Sequence, residues 1–287
     1  MTARFFDNLY FMKGIVLKKF ILFLALILLT SCGNKNSGNP LGSALVTTAT
    51  QSATATTKIQ PTTQPATKFT SKPKMKKNMM IDVPYYSQHD YPTGCELVST
   101  SMLLAFLGFD IKAGELLEKG YLNTVDITKD SRNRKHGGDP DKVFIGNPEK
   151  NTGYGCYSGA IIYTLNKYLK PREYVLEKTY DIIDLKGMEL QEICAEYISK
   201  GVPVIMWASI DMKPTFINLA NSWIIDKTGE RYLWKSNEHC LVLTGYDEDY
   251  YYFNDPLAQK DTPYLKRLAE RRYGEMGMQA IAVIENE

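Results

Sequence analysis

The pattern of apolar and polar positions changes along the chain, from helical spacing in the first part of residues 79–287 to short apolar runs in the second. Apolar residues three or four positions apart predict a helix from Cys95 to Gly108. The same spacing predicts further helices over residues 112–119, 158–169 and 185–200. Helices followed by strands indicate the α+β class, and we expect the active site where the two parts meet.

The strand predictions begin with residues 81–86 and resume after Gly201, a glycine placed to end the preceding helix. Residues 202–208 form a buried apolar run with Pro203 near its start. Two further runs, 239–246 and 250–255, predict a hairpin around Asp247.

The remaining segments are less regular in pattern. Residues 213–230 are expected to be irregular, residues 261–272 to form a basic helix, and residues 279–284 to form the last strand. Residues 123–157 are rich in Gly, Asn, Asp and Pro and predict a long ordered loop. Because such loops in compact domains are usually functional, we place it beside the active-site groove.

The sequence around Cys95 indicates a nucleophile. A turn containing Pro92 and Gly94 leads into Thr93 and Glu96, spaced as a capping box, which puts Cys95 at the second helical position. The helix dipole favours negative charge there, so a depressed thiol pKa is expected. The alternative is a buried structural cysteine, which is the commoner case.

His239 and Asp255 are the candidate partners of Cys95. Folding the hairpin about residue 247 places them opposite each other, and a register shift by one pair leaves them diagonal neighbours on one face. The carboxylate would fix the imidazole tautomer, leaving the other ring nitrogen to take the thiol proton. Alone, His239 would be a strand-end histidine and Asp255 a turn residue. His89 is a rival base, but we expect it to lack an orienting acid.

Gln88 lies across the turn from Cys95 and is the candidate oxyanion donor, together with the Cys95 amide. Its alternative is an ordinary surface glutamine. The chain's three histidines, His89, His136 and His239, show no metal-ligand spacing, so neither a metal nor a cofactor is expected.

The N-terminal segment predicts a secretory signal, with lysines preceding the ten apolar residues 20–29. Ten residues are too few to cross a membrane as a helix. The following sequence up to Cys32 resembles the lipobox of bacterial lipoproteins, which implies lipidation of Cys32. The true start is Met1 or Met12, and a plain signal peptide with an incidental Cys32 is the alternative.

Composition divides the chain into a signal segment (1–32), a Thr-rich disordered linker (33–78) and one folded domain (79–287). We therefore expect a lipid-anchored protein on the outer side of the membrane. The net charge of +2 gives no reason to expect a nucleic-acid partner. The domain is expected to be a monomer.

The domain contains four cysteines, Cys95, Cys156, Cys194 and Cys240. In an oxidising compartment a disulfide among the first three stays open as an alternative, whereas Cys240 lies in an apolar strand and is expected in the core.

Taken together, these motifs resemble papain-like cysteine peptidases. In detail they are similar to secreted peptidases related to bacteriocin-processing (double-glycine leader) enzymes, cysteine peptidase family thirty-nine, over nearly all of the folded part. The resemblance implies a papain-like fold with Cys95 as nucleophile, His239 as base, Asp255 as orienting acid and Gln88 as oxyanion donor. Bacteriocin-processing enzymes are commonly fused to an ABC exporter, whereas this sequence shows neither a membrane domain nor an ATPase motif and is expected to act outside the membrane. The double-glycine leader substrate is therefore not carried over. The matching pieces lie in residues 81–88, 91–96, 201–207, 237–240, 245–246 and 254–257.

The expected function is peptide-bond hydrolysis through a thioester by a Cys-His-Asp triad. The expected partners are a peptide or protein substrate, the membrane through the lipid anchor, and the cell wall. Two alternatives stay open: a cell-wall peptide amidase or acyltransferase with the same triad, and a peptide-binding lipoprotein without turnover.

Overall fold

The computed structural model describes residues 77–286. The signal segment, almost all of the linker, and Cys32 lie outside the described residues. Within this part of the chain, no helix is both long enough and apolar enough to span a membrane. The helices are α1 (Cys95–Phe106), α2 (Ala113–Glu118), α3 (Ser158–Leu176), α4 (Leu190–Glu196) and α5 (Lys266–Glu275), with 3₁₀ turns at Ile198–Lys200 and Ile210–Met212.

The strands are numbered along the chain. They are β1 (Met79–Met80), β2 (Thr124–Val125), β3 (Thr128–Lys129), β4 (Lys135–Gly137), β5 (Phe144–Ile145), β6 (Thr179–Asp184), β7 (Val204–Ser209), β8 (Phe216–Ile225), β9 (Arg231–Ser236), β10 (Glu238–Tyr246), β11 (Tyr250–Asn254), β12 (Thr262–Leu265) and β13 (Ala280–Asn286).

A seven-stranded antiparallel sheet forms the centre of the domain, in the order β12-β11-β10-β7-β13-β6 with β1 also paired to β10. Every residue of β7 and β10 is buried. Strands covered on both faces carry continuous apolar runs instead of an alternating pattern. The helices and this sheet confirm the predicted α+β class.

Helix α1 packs against β10 and β7, and this contact brings Cys95 to the sheet. The first ten residues of the helix are all buried. Full burial of a Leu, Val or Met side chain contributes about 1.5–3 kcal/mol, so α1 is fixed firmly to the sheet. Ser99 Oγ also donates a hydrogen bond to the carbonyl of Cys240 in β10 at 3.1 Å.

Two smaller sheets lie outside the central one: β2 pairs with β5, and β3, β4, β8 and β9 form a four-stranded sheet. The prediction that residues 213–230 are irregular is therefore wrong. Strand β8 exposes Phe216, Ile217 and Leu219, and its pairing with β9 is interrupted between Ile217 and Ser222. Its apolar residues consequently do not alternate with polar ones in the way that identifies a half-buried strand.

Other boundaries also differ from the predictions. Regular pairing of the first strand ends at Met80, so the strand over 81–86 is wrong. Helix α3 continues through Pro171 to Leu176, and α4 begins only at Leu190. Residues 262–265 form β12 before α5 begins, which corrects the single helix predicted there. The helices at Cys95 and at 112–119 and the last strand are confirmed.

Candidate active site

Cys95 is the first residue of α1, but the predicted capping box is wrong. Gly94 is the N-cap, and no side chain caps the helix. The Thr93 hydroxyl instead donates to the carbonyl of Lys150 at 3.0 Å, which ties the turn to the loop that follows β5. Glu96 does not reach back to Thr93 because its carboxylate is used inside the protein. Cys95 thus lies one position earlier in the helix than predicted.

The Glu96 carboxylate is buried beneath the site. Its Oε1 accepts a hydrogen bond from the backbone N–H of Cys156, and its Oε2 accepts one from the Cys95 thiol at 3.3 Å. Burial raises the pKa of Glu96 to about 7, because a charged carboxylate loses its hydration there. Near neutral pH this group therefore exists in both protonation states.

The hairpin brings His239 and Asp255 together, with Nε2 of the imidazole 2.7 Å from Oδ1 of the carboxylate. The register of β10 and β11 pairs Val242 with Asn254. Continued by one residue, it places Asp255 opposite Leu241, so His239 and Asp255 are diagonal neighbours. The directly opposed pairing is wrong, and the register shifted by one pair is the observed one. The Nδ1 atom of His239 is left for a thiol or a substrate.

Asp255 is held in place by more than the imidazole. Tyr264 donates its hydroxyl to Oδ2 at 2.8 Å, and the backbone N–H of Leu257 donates to Oδ1 at 2.9 Å. Burial acts to raise the pKa of Asp255, but the hydrogen bonds from His239 and Tyr264 and the charge of the imidazole outweigh it, so the pKa is lowered. Asp255 therefore stays ionised and can orient His239.

Cys95, His239 and Gln88 line one cleft of about 480 Å³. The loop residues 151–154 form part of its wall, as does Trp234 from β9. Part of the segment 123–157 therefore lies beside the groove, as the sequence predicts, but the segment is not a single loop because it contains β2, β3, β4 and β5. A cleft with convergent polar groups is the usual form of a substrate site.

Gln88 is in the cleft but its amide is already engaged. Its Nε2 donates to the carbonyls of Tyr91 at 3.4 Å and Pro92 at 3.3 Å, and its buried Oε1 has no hydrogen-bond partner among the described residues. The amide therefore stabilises the turn before Cys95. To donate to an oxyanion, it must give up one of these long hydrogen bonds.

The other two histidines are paired elsewhere. His89 contacts Asp90 at 3.0 Å, so the expectation that it lacks an acidic partner is wrong, but both side chains are more than four-fifths exposed. His136 contacts Asp226 at 3.1 Å. Neither histidine is among the residues that line the cleft.

The expected depression of the Cys95 pKa is wrong for the structure as described. Burial raises the pKa of the thiol well above its ordinary value, and the charges of Glu238 and Glu96 raise it further. One sulfur and two carboxylate oxygens from these residues lie within 4.8 Å of one another. Burial and these two acidic groups together outweigh the effect of the helix N-terminus on the thiol's pKa, because a helix N-terminus stabilises a thiolate only modestly. The same three groups could hold a metal ion.

All four described cysteines, Cys95, Cys156, Cys194 and Cys240, are free and buried. The disulfide that the sequence left open is therefore not the observed arrangement, and Cys240 lies in the core strand β10 as predicted.

Three residues of the site were not identified from the sequence: Glu96, Glu238 and Tyr264. The spacing of Glu96 from Thr93 predicts only a helix cap. Glu238 begins a strand that is buried along its whole length, and an acidic residue at the head of such an apolar run is a signal that could have been used. Tyr264 lies in β12, within the segment whose pattern predicts a helix, so no strand periodicity points to it.

Comparisons with known proteins place this geometry in a family. The chain is 29% identical over 209 residues to the uncharacterized protein YvpB of Bacillus subtilis (strain 168), covering 71% of this chain and 75% of that protein. It matches the crystal structure of a putative C39-like peptidase from Bacillus anthracis with a TM-score of 0.61 and 25% identity, over 74% of this chain and all of that one. The match confirms the predicted fold. Because the model of the peptidase C39-like family matches residues 80–281, the chain belongs to that family.

Proposed function

We propose that this protein is a cysteine peptidase that hydrolyses peptide bonds through Cys95, His239 and Asp255. The observation that carries the proposal is the 2.7 Å contact between His239 and Asp255, in a cleft that Cys95 also lines. A carboxylate on Nε2 fixes the tautomer and stabilises the imidazolium that forms during reaction. Membership of a peptidase family supports the same class of reaction.

In this mechanism the Cys95 sulfur attacks the carbonyl carbon of the peptide bond, and the thiol proton passes to His239 Nδ1. The imidazolium then protonates the leaving amine as the C–N bond breaks, which leaves a thioester on Cys95. His239 next takes a proton from water, which attacks the thioester and releases the acid and the free thiol. The Cys95 amide and Gln88 are the proposed donors to the oxyanion.

A second candidate, a peptide-binding protein without turnover, is favoured by one observation. Among the described side chains, the acceptor of the Cys95 thiol proton is Glu96 and not His239. Together with the raised pKa of the thiol, this contact describes an unreactive resting state. The peptidase proposal therefore requires the thiol to turn from Glu96 to His239 when substrate binds.

We further propose that the protein acts outside the membrane, anchored by a lipid on Cys32, with residues 33–78 as a tether. The support is the sequence pattern up to Cys32. Mass spectrometry of membrane-derived protein should find Cys32 as the first residue, carrying a diacylglyceryl group. A soluble protein with another N-terminus would contradict the anchor.

The peptidase proposal is tested by product analysis. Wild-type protein and Cys95→Ala are incubated separately with an exoproteome digest and with purified peptidoglycan, and new termini are identified by mass spectrometry. New peptide termini produced by wild type alone support peptide hydrolysis. Products from peptidoglycan alone would favour the cell-wall amidase, and none from either would favour the binding protein.

A further inference from the structure

Glu238 is a buried acid whose carboxylate is only partly satisfied. Its side chain lines the cleft, and one of its carboxylate oxygens lies within 4.8 Å of the Cys95 sulfur. The residue is 8% exposed, and its Oε1 has no hydrogen-bond partner in the described part of the chain. A buried acceptor without a donor is costly, and native proteins rarely keep one without a reason.

The acidic groups around Glu238 have no basic partner among the described residues. A carboxylate oxygen of Glu96 lies within 4.8 Å of one of Glu238. Neither acid makes an ion pair with a basic side chain within residues 77–286. The imidazole that lines the cleft, that of His239, is already hydrogen-bonded to Asp255. No Lys or Arg is among the residues that line the cleft. The site therefore has an excess of acidic groups and lacks a cation.

Two aromatic side chains add to this environment. Trp234 and Tyr154 both line the cleft, and their rings meet edge to face with centroids 5.7 Å apart. Aromatic faces attract ammonium and guanidinium groups, most strongly where water is excluded. An acid beside aromatic rings is thus suited to a cation on an aliphatic stem.

Gly155 preserves the room for the two carboxylates. It has φ +139°, and a Cβ built on it would lie 2.6 Å from Glu96 Oε1 and 2.9 Å from Glu238 Oε2. Any larger residue would therefore displace the acid pair, so the backbone is shaped around it.

From these observations we propose that Glu238 determines specificity, by accepting a hydrogen bond from the cationic side chain of a substrate residue beside the scissile bond. The substrate class is then a peptide that carries an ammonium or guanidinium group at that position. This inference rests on the proposed peptidase function. The cation supplies the donor that Oε1 lacks, and it balances the charge of the acid pair.

The first experiment does not depend on turnover. Full-length protein is alkylated with N-(5-aminopentyl)bromoacetamide or its neutral isostere N-pentylbromoacetamide, in EDTA so that no metal ion occupies the three groups. The rate at Cys95 is followed by peptide mapping and divided by the rate with N-acetylcysteine. We expect the cationic reagent to be favoured about tenfold or more, as a hydrogen bond to a charged group allows.

The control variants separate this contact from general attraction. Glu238→Gln keeps the shape and should bring the ratio close to one, whereas Glu248→Gln removes an exposed charge in the turn after β10 and should leave it unchanged. A wild-type ratio near one, or a ratio retained in Glu238→Gln, would overturn the inference.

A second measurement distinguishes the two proposals. Matched peptides containing lysine or its neutral isostere norleucine are compared for hydrolysis. Selective alkylation without hydrolysis of either peptide would contradict the peptidase and keep the cation site. Equal kcat/KM for the two peptides would contradict the cation site and keep the peptidase. A preference for lysine that disappears in Glu238→Gln supports both.

Discussion

Replacing Glu96 by Gln tests the electrostatics of the site through protein stability. The change removes the titrating acid but preserves its size and its acceptor for the Cys156 N–H. Folded Glu96 keeps its proton up to about pH 7, whereas in the unfolded chain the proton is lost near the ordinary value of 4.5. Between these values the folded state binds more protons. The free energy of unfolding of the wild type should therefore fall as pH rises through this interval.

The size of the effect follows from the gap between the two pKa values. One pKa unit corresponds to about 1.4 kcal/mol, so the gap is equivalent to about 3 kcal/mol. Below about pH 4.5 Glu96 is protonated in both states and contributes no slope. Above about pH 7 its contribution is constant. The free energy of unfolding of Glu96→Gln, measured relative to that of the wild type, should thus increase by up to about 3 kcal/mol between pH 4.5 and 8.

The assay is urea unfolding of full-length wild type and variant at a series of pH values, with the difference in free energy of unfolding plotted against pH. Glu248→Gln, an exposed replacement of the same kind, should give a flat difference. A flat difference for Glu96→Gln, or one that moves in the opposite direction, would refute the buried, partly protonated state of Glu96.

The remaining predictions concern catalysis. His239→Ala should abolish peptide hydrolysis, because no other imidazole of the described residues lines the cleft to protonate the leaving amine; retained turnover would exclude it as the base. Asp255→Ala should retain measurable activity, since it removes orientation and leaves the base, and loss as complete as in His239→Ala would contradict that division. Gln88→Ala should lower kcat by about 10²–10³-fold if Gln88 donates to the oxyanion. A change in KM alone would show that Gln88 only stabilises the turn before Cys95.

The sequence was most informative where local chemistry and chain pairing agree. Helix α1 was predictable from its apolar spacing and from Gly108, and buried β10 from its apolar run. The proximity of His239 and Asp255 followed from the symmetry of a hairpin, even though the register is one pair away from direct opposition. A diagonal pair lies on the same face, so the prediction of their contact did not depend on the register.

The parts that could not be predicted depend on contacts between distant segments. Glu96 is spaced as a cap, but the N–H of Cys156, 60 residues later, takes its carboxylate. The helix N-terminus indicated a reactive Cys95, while burial and Glu238, brought in by β10, act against it. Short-range patterns contain no information on burial by distant segments. It is this burial that raises the pKa of the Cys95 thiol where the helix N-terminus alone would lower it.

The central claim, that Cys95 forms the acyl intermediate with His239 as its base, is tested most directly by trapping. Full-length wild type, Cys95→Ala and His239→Ala are treated with a peptidyl acyloxymethyl ketone near neutral pH, and the adducts are mapped by mass spectrometry. The account predicts one adduct, on Cys95, in the wild type, none in Cys95→Ala and very slow formation in His239→Ala. An unmodified wild type, or an adduct on Cys156, Cys194 or Cys240 instead, would contradict it.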